Sequence, residues 1–330
     1  MTEPALTFVL LTPDNFSTVR TTAEMVGLGG AGMIELLIVT PDPAELDPDP
    51  AVIDHFLSFG VVKADLSRGA GAARAAAVRA ARAPIVAFGE DHSFPQPGWA
   101  AAIIAAHDGE WAAVGPVVTN ANPVTLVSWA DLLMGYGPWL APGRAAERSH
   151  LPGHNSSYRK DVLLALGDEL GDLFEAETAL QWTLRARGHR LFQESAARVA
   201  HTNFDRFSVW LPVHFHTGRV FAATRARSWS KAARVAFAFA SPLVPFVRLW
   251  RHLGQAFAAG IEPSVIARTA PVLAVGLIVD AAGQFAGCLT GAGRSPELLV
   301  DWEFHRNVPR AGVESGEWRV ESGEWRVRTE

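Results

Sequence analysis

The first 120 residues alternate between short apolar runs and helix-like stretches, and that order restricts the fold more than any other feature of the chain. The apolar runs are "LTFVLLT" (6–12), "IELLIVT" (34–40), "GVVKAD" (60–65), "PIVAFGED" (84–91) and "WAAVGPVV" (111–118). Between them lie "NFSTVRTTAEMVG", "DPAVIDHFLSF", the alanine-rich "GAGAARAAAVRAARA" (69–83), which Pro84 stops, and "GWAAAIIAAH". Runs this short and continuously apolar suit strands buried on both faces, whereas the longer alanine-rich pieces suit helices. The pattern predicts an α/β chain whose mostly parallel sheet is flanked by helices on both faces. In such sheets ligands sit beyond the carboxyl ends of the strands. The fourth run ends there on three consecutive metal-competent side chains, Glu90, Asp91 and His92, followed by the sharp turn "SFPQPGW".

Composition excludes several alternatives. With 49% of its 330 residues apolar and 19% charged, the chain can bury a sizeable core and is not a disordered protein. Its single cysteine, Cys288, rules out an intramolecular disulfide framework and a cysteine-cluster zinc site, and it fits a reducing compartment. The first residues enter an apolar strand directly, with no basic leader and no long apolar segment, so no cleaved signal is expected.

Charge is distributed unevenly. Net charge is −5, yet residues 206–261 hold eight Lys/Arg and no Asp or Glu, leaving −13 for the remainder. A basic segment on an acidic protein points to an anionic partner. Here it is interleaved with aromatic and aliphatic residues ("AFAFASPLVPFVRLW"), which suits a bilayer interface and not a nucleic-acid groove. Residues 271–292 are apolar over about a bilayer's width but contain Asp280, Gln284 and several glycines, a marginal span. The expected organisation is therefore 1–205 as the α/β domain, 206–295 as a basic, apolar helical region associating with membrane, and 296–330 as a tail. That tail carries "ESGEWRV" twice, at 314–320 and 321–327, and is expected to lack regular structure.

"GLGGAG", with glycines at 27, 29 and 32, matches a dinucleotide-binding fingerprint literally. That motif requires a strand before the glycines and a helix after them. Here a helix runs in and a strand runs out, so the stretch reads as a helix-to-strand turn and a nicotinamide enzyme is not expected.

The remaining candidates are ambiguous one by one. Glu90, Asp91 and His92 offer ligands for Mg2+ or Mn2+, yet they also fit an exposed acidic turn capping the next helix. Glu175 and Glu177 open a helix, where the macrodipole favours acids without any further role. His201 closes the apolar strand "ARVAH", where an edge histidine needs no ligand.

Their order, however, resembles the family 2 glycosyltransferases of the GT-A fold. The chain matches, over roughly 5–203, the early Asn of "FVLLTPDNF", the arginine-bearing helix "SRGAGAARAAAVRAARAPIVAF" with Arg74 at the usual arginine, and the Asp-x-Asp element as "EDHSFPQPGW". It also matches the G-x-N segment as "PGHNSSYRKDVLLALG", the acidic pair before L-R-x-x-G as "FEAETALQWTLRARG", and V-x-H at Val199 and His201. The resemblance implies inverting transfer of one sugar from a nucleotide-diphosphate sugar to a hydroxyl acceptor, a glycan or a lipid-linked or cell-envelope molecule. It implies Glu177 as catalytic base, and Glu90, His92 and His201 around a divalent cation (Mn2+ or Mg2+). Arg74 and Asp91 would contact the donor, with Asp42 of "VTPDP" standing in for the family's missing D-x-S. His154, Asn155 and Glu175 would contact the donor or acceptor sugar. Glu and His in place of the two metal-element aspartates, and Glu in place of the catalytic aspartate, are departures. The absence of a Q-x-x-R-W element argues against a processive synthase. With the basic apolar region, the resemblance places the enzyme on the cytoplasmic face of the membrane. A catalytically inactive sugar-nucleotide-binding or scaffold protein and a metal-dependent hydrolase are the competing readings.

Overall fold

The computed structural model describes residues 3–12, 16–30, 32–66, 69–304, 318–321 and 324–327. Asn15, the early asparagine of the motif series, lies outside them, as do residues 314–317 and 322–323 of the tail repeat. The first half follows the expected alternation: β1 (Leu6–Leu11), α1 (Phe16–Gly30), β2 (Ile34–Thr40), α2 (Pro50–Ile53), β3 (Ser58–Lys63), α3 (Gly71–Ala80), β4 (Ile85–Gly89), β5 (Ser93–Pro95), α4 (Trp99–Ala106) and β6 (Ala113–Asn120). Next come α5 (Leu126–Tyr136), β7 (Ala146–Arg148), β8 (Ser157–Arg159), α6 (Lys160–Leu164), α7 (Glu169–Phe174), α8 (Glu177–Ala186) and β9 (Leu191–His201). A helical region follows: α9 (Phe207–Arg225), α10 (Lys231–Ala240), α11 (Val244–Ala258), α12 (Pro263–Thr290) and α13 (Ser295–Phe304). The described chain ends in the pair β10 (Trp318–Glu321) and β11 (Glu324–Val327).

Nine strands form one sheet in the order β3-β2-β1-β4-β8-β6-β9-β5, with β7 pairing on β9. The β3-β2-β1-β4 pairs and β6–β9 are parallel, whereas β8 runs antiparallel between β4 and β6. One face packs on α3, α6, α7 and α8 through Val9, Val39, Phe88, Phe174 and Leu180. The other packs on α1 and α4 through Phe8, Leu10, Ile38, Trp99 and Ile103. Burial on both faces explains why β1 and β2 are mostly apolar and do not alternate; the buried Thr7 and Glu35 within them bond each other at 2.6 Å. Gly89, the last residue of β4, has the Phe8 ring where a Cβ would stand.

Two segments depart from expectation. The predicted helix over "DPAVIDHFLSF" stops after one turn at Ile53, and Ser58 already belongs to β3. The Leu57 N–H bonds Ile34 O at 2.9 Å, so pairing with β2 claims the end of the segment before a second turn can form. In the tail, Trp318–Glu321 pairs antiparallel with Glu324–Val327, bringing the two repeat copies face to face where no regular structure was expected. The glycine-rich stretch behaves as read: α1 runs to Gly30, Gly32 turns with φ 85°, and β2 leaves.

The helical region has a core of its own. Leu132, Met134, Trp139, Phe204, Trp210, Leu273 and Leu277 join α5, α9, α11 and α12. α9 and α12 approach closely, with Gly218 against the Asp280 carbonyl and Gly283 against the Phe215 carbonyl.

Candidate active site

Glu90 is the first residue beyond β4, at the carboxyl edge of the sheet. The chain turns there, with the Ser93 N–H bonding Glu90 O at 3.1 Å, and re-enters the sheet as β5. β5 pairs with the end of β9, placing Ser93 opposite His201, while the Thr202 N–H bonds His92 O at 2.9 Å. Sheet pairing thus brings His92 and His201 together across more than a hundred residues, their rings 5.0 Å apart.

Both imidazoles point Nε2 at the Glu90 carboxylate, His92 at Oε1 and His201 at Oε2, each at 3.5 Å. One ligand atom from each of the three side chains falls within 4.8 Å of the other two. The tautomers follow from the far side of each ring. His92 Nδ1 lies 2.8 Å from Asp91 Oδ1, and a carboxylate only accepts, so Nδ1 carries the hydrogen. His201 Nδ1 lies 2.9 Å from Asn203 Oδ1, and the Asn203 amide donates to Asn120 Oδ1 and His201 O, which fixes its oxygen as the acceptor. In the neutral rings both Nε2 lone pairs therefore face Glu90. Metal-binding histidines are held in this way, with the other ring nitrogen donating to an oxygen. The donor set of two imidazoles and one carboxylate fits a divalent cation, and suits Mn2+ better than the all-oxygen preference of Mg2+.

Glu90 is further held by Asn155 Nδ2 at 2.9 Å and by the Tyr136 hydroxyl at 3.2 Å, both donating to Oε2. Asn155 is itself oriented by Ser93, whose hydroxyl donates to its Oδ1 at 2.7 Å. Burial disfavours the Glu90 anion, but when the surrounding His92, His154 and His201 carry protons toward it, their charge and N–H bonds outweigh burial and hold the carboxyl well below the usual range.

His154 lies on the loop before β8, with its Nδ1 3.8 Å from Glu90 Oε1 and 3.0 Å from Glu177 Oε1. Glu177 opens α8 and also meets Arg74 of α3 at 2.8 Å. The Arg74 guanidinium donates to Phe174 O at 3.2 Å and reaches His154 Nδ1 at 3.0 Å. The result is an alternating row: Glu90, His154, Glu177, Arg74. Burial raises the cost of the Glu177 anion, yet His154 and Arg74 lower its pKa to about 2. Burial opposes the His154 cation too, but Glu177 and Glu90 raise its pKa above the ordinary value. Gly153 makes the approach possible, since a Cβ there would meet Glu177 Cβ at 2.8 Å.

Residues 37–167 match the model of glycosyl transferase family 2. The match covers 131 of the 330 residues. The match contains Asp42, Arg74, Glu90, Asp91, His92, His154 and Asn155; the fold brings Glu177 and His201 to them from beyond it. Among solved structures, the chain is similar to the mannosyltransferase PcManGT from Pyrobaculum calidifontis in complex with GDP-Man and Mn2+. The two are 15% identical, with a TM-score of 0.50 over 92% of this chain and 88% of that one. It is also similar to residues 1–349 of S. aureus TarS, at 14% identity and a TM-score of 0.43 over 98% and 96% of the two chains. GalNAc-T7 with UDP, GalNAc and Mn2+ is 11% identical with a TM-score of 0.41, over 61% of this chain and 44% of that one, so this chain spans less than half its length. No curated protein matches the sequence. The likeness to PcManGT is one of fold, the GT-A arrangement of a mostly parallel sheet between helices.

Three further residues singled out in the sequence make the following contacts. Asp42, exposed beyond β2, caps a turn by accepting the Ala44 N–H at 3.1 Å and stands apart from the cluster. Asp91 is buried, with its carboxylate against His92 Nδ1. Glu175 accepts the Gly71 N–H at 2.7 Å and fixes the start of α3 to the loop before α8; burial raises its pKa. Gly69, with φ 118°, lies so close that a Cβ would meet that carboxylate at 2.6 Å. Tyr136, Ser93 and Asn203 were not anticipated. Tyr136 closes an ordinary amphipathic helix, and only the return of α5 to the sheet edge brings its hydroxyl to Glu90.

Proposed function

We propose that the protein transfers a single sugar from a nucleotide-diphosphate sugar to a hydroxyl acceptor, with inversion at the anomeric carbon. The observation that carries this reading is the convergence of Glu90, His92 and His201 at the carboxyl edge of a family 2 domain, one imidazole away from Glu177.

Glu90, His92 and His201 would hold a divalent cation, which when bound offsets negative charge growing on the departing nucleotide diphosphate. Asp91 and Asn203 keep both Nε2 lone pairs turned inward, and Asn155 and Tyr136 keep Glu90 from rotating away. Glu177 takes the proton from the acceptor hydroxyl as that oxygen attacks the anomeric carbon from the face opposite the diphosphate. Its low pKa makes it a weak base while Arg74 and His154 neutralise it. An incoming diphosphate competes for those two cations, so donor binding raises the basicity of Glu177 at the moment it is needed. Holding donor and acceptor in line supplies much of the remaining acceleration. The acceptor is proposed to be a glycan or lipid-linked molecule at the cytoplasmic face of the membrane, on the strength of the basic, apolar helices that follow the sheet.

The test is a thermal-shift screen of nucleotide sugars with and without Mn2+, followed by turnover with the donor that stabilises most. Glu177→Gln should lower turnover by about a thousandfold or more while leaving donor stabilisation intact. Normal turnover in that variant removes the base assignment. Product release with water as the sole acceptor would make the protein a hydrolase, and stabilisation without turnover would make it a binding protein.

A further inference from the structure

Helices α10 and α11 present a surface that sugar transfer does not use. Phe239, Leu243, Phe246, Val247, Trp250 and Phe257 follow one another at helical spacing and are 56–84% exposed, Trp250 most of all. The opposite side of α11, Pro245, His252 and Ala256, is buried. Six large apolar side chains in one stripe exceed the scattered exposure ordinary for a surface. Lys231 and Arg251, both exposed, flank the stripe, and no acid occurs anywhere between Arg206 and Ile261.

We infer that α10 and α11 lie in the plane of an anionic membrane leaflet, the stripe sunk into the acyl boundary and the cations among the head groups. The inference rests on the transferase reading only for its purpose, which is to bring the site to acceptors carried in that leaflet.

In-plane seating is favoured over spanning by what the helices do with their polar groups. By length and composition alone, Lys231–Ala258 and Pro263–Thr290 could each cross a bilayer. The first is interrupted by the turn Ser241–Leu243, and Arg248, near its middle, pairs with Asp280 of α12 at 2.6 Å. Gln284 donates to the same carboxylate at 2.6 Å. Half of the apolar window of α12 is already buried, against 17% for the first helix pair, and its glycines lie on the backbone of α9. Drawing either segment through a bilayer would strip that packing and carry an ion pair into hydrocarbon. Charge distinguishes a leaflet from a second copy of the chain. An isologous dimer on this face would set its cations against each other, whereas a leaflet supplies the missing anions.

The surface also stands behind the site. His252 and Gln255, on the inner side of α11, press on Gly137 so closely that a Cβ there would meet Gln255 Oε1 at 2.6 Å and His252 Nδ1 at 2.8 Å. Gly137 follows Tyr136, the donor to Glu90. At the other end, Arg225 lies over the rings of Trp182, Trp229 and Phe237, tying α10 to the helix that Glu177 opens.

Flotation of the full chain with vesicles tests this. It should rise with vesicles of phosphatidylcholine plus phosphatidylglycerol, and bind less to phosphatidylcholine alone or in high salt. Phe246→Asp with Trp250→Asp, both at exposed positions, should lower the partition coefficient by about tenfold or more without changing Tm. Fluorescence lost in Trp250→Phe should be quenched more by lipids brominated near the head group than near the chain ends. The reverse order means a spanning helix and overturns the inference. So does a soluble dimer that the double variant dissociates, with no vesicle binding by the parent. Mn2+-dependent stabilisation by nucleotide sugars should be the same in parent and double variant. If it is absent from both while flotation holds, the transferase reading falls and the seating stands.

Discussion

The Arg74 guanidinium sits 2.8 Å from the Glu177 carboxylate, both side chains largely buried, and joins α3 to the start of α8 at the edge of the sheet. Removing one partner of such a pair leaves an uncompensated charge in a site closed on most sides. Arg74→Ala should therefore lower stability by about 2–3 kcal/mol at neutral pH, His154 retaining part of the compensation. It should also raise the Glu177 pKa from about 2 toward its ordinary value. Urea unfolding measures the first effect and NMR titration of labelled glutamate the second. An unchanged carboxyl pKa in Arg74→Ala would show that His154 alone holds the anion.

Asp91 and Asn203 act on the proposed cation only through the histidines they orient. Asp91→Asn keeps the size of the side chain but can turn its amide nitrogen toward His92 Nδ1, which favours the wrong tautomer. Mn2+ affinity, measured by calorimetry on the unliganded protein, should fall about 10- to 100-fold. His201→Ala should fall further, since it removes a ligand and not merely its support. Equal Mn2+ affinity in parent, Asp91→Asn and His201→Ala would move the metal site elsewhere.

Asn155→Ala should weaken Mn2+ binding without abolishing it, because it frees one oxygen of Glu90 while Tyr136 still donates to the same atom. Tyr136→Phe keeps the ring against His201 and removes only the hydroxyl. The two single losses should combine to more than their sum, since either donor alone still holds the same Glu90 oxygen. Strict additivity in the double-mutant cycle would argue that Glu90 does not depend on this network.

Stability should decline in acid in two stages. His107 is buried, with Nε2 2.9 Å from Ser157 Oγ; burial and the nearby Arg159 lower its pKa from 6.5 to about 4. His252, buried against α5, is lowered from 6.5 to about 3. The unfolded chain takes up these protons first, so the stabilisation is complete above pH 6.5 and is lost as pH falls through the folded values. The slope is about 1.4 kcal/mol per pH unit for each group. Glu177, with a folded pKa of about 2 against 4.5, adds a further loss below pH 4.5. His154 has the opposite sign: its raised pKa favours the fold below pH 6.5, and that contribution disappears as pH rises through its folded value. Urea midpoints should therefore peak near neutrality. A flat profile between pH 7 and 5 would contradict the burial of His107 and His252.

The alternation of strands and helices up to Glu90 was legible because both-face burial leaves its mark on composition, as in the mostly apolar runs of β1 and β2. The association of Glu90, His92, His201, Glu177 and Arg74 was legible only through their order along the chain; no spacing in the sequence predicts that β5 folds back on β9. What each polar side chain would face was not legible. Asp91, Asn155 and Glu175 were expected against substrate, yet their hydrogen bonds go to His92, to Glu90 and to the start of α3. Asp42, an exposed aspartate before a proline, finds its hydrogen-bond partner in its own turn. The helix expected over 49–59 failed because a local preference of a few tenths of a kcal/mol per residue yields to a strand partner already in place.

His201 and Ser93 face each other across an antiparallel pair, and on its other side His201 lies opposite Asn120. Side chains on a strand alternate between faces, so the cluster exists in only one parity of β9. Loss or gain of a single residue between Arg198 and His201, where the register with β6 is unbroken, would turn the imidazole to the opposite side of the sheet, whereas a two-residue change would restore it one step displaced. The end of β9 therefore cannot change length freely, because the chemistry there depends on whether the count is odd or even.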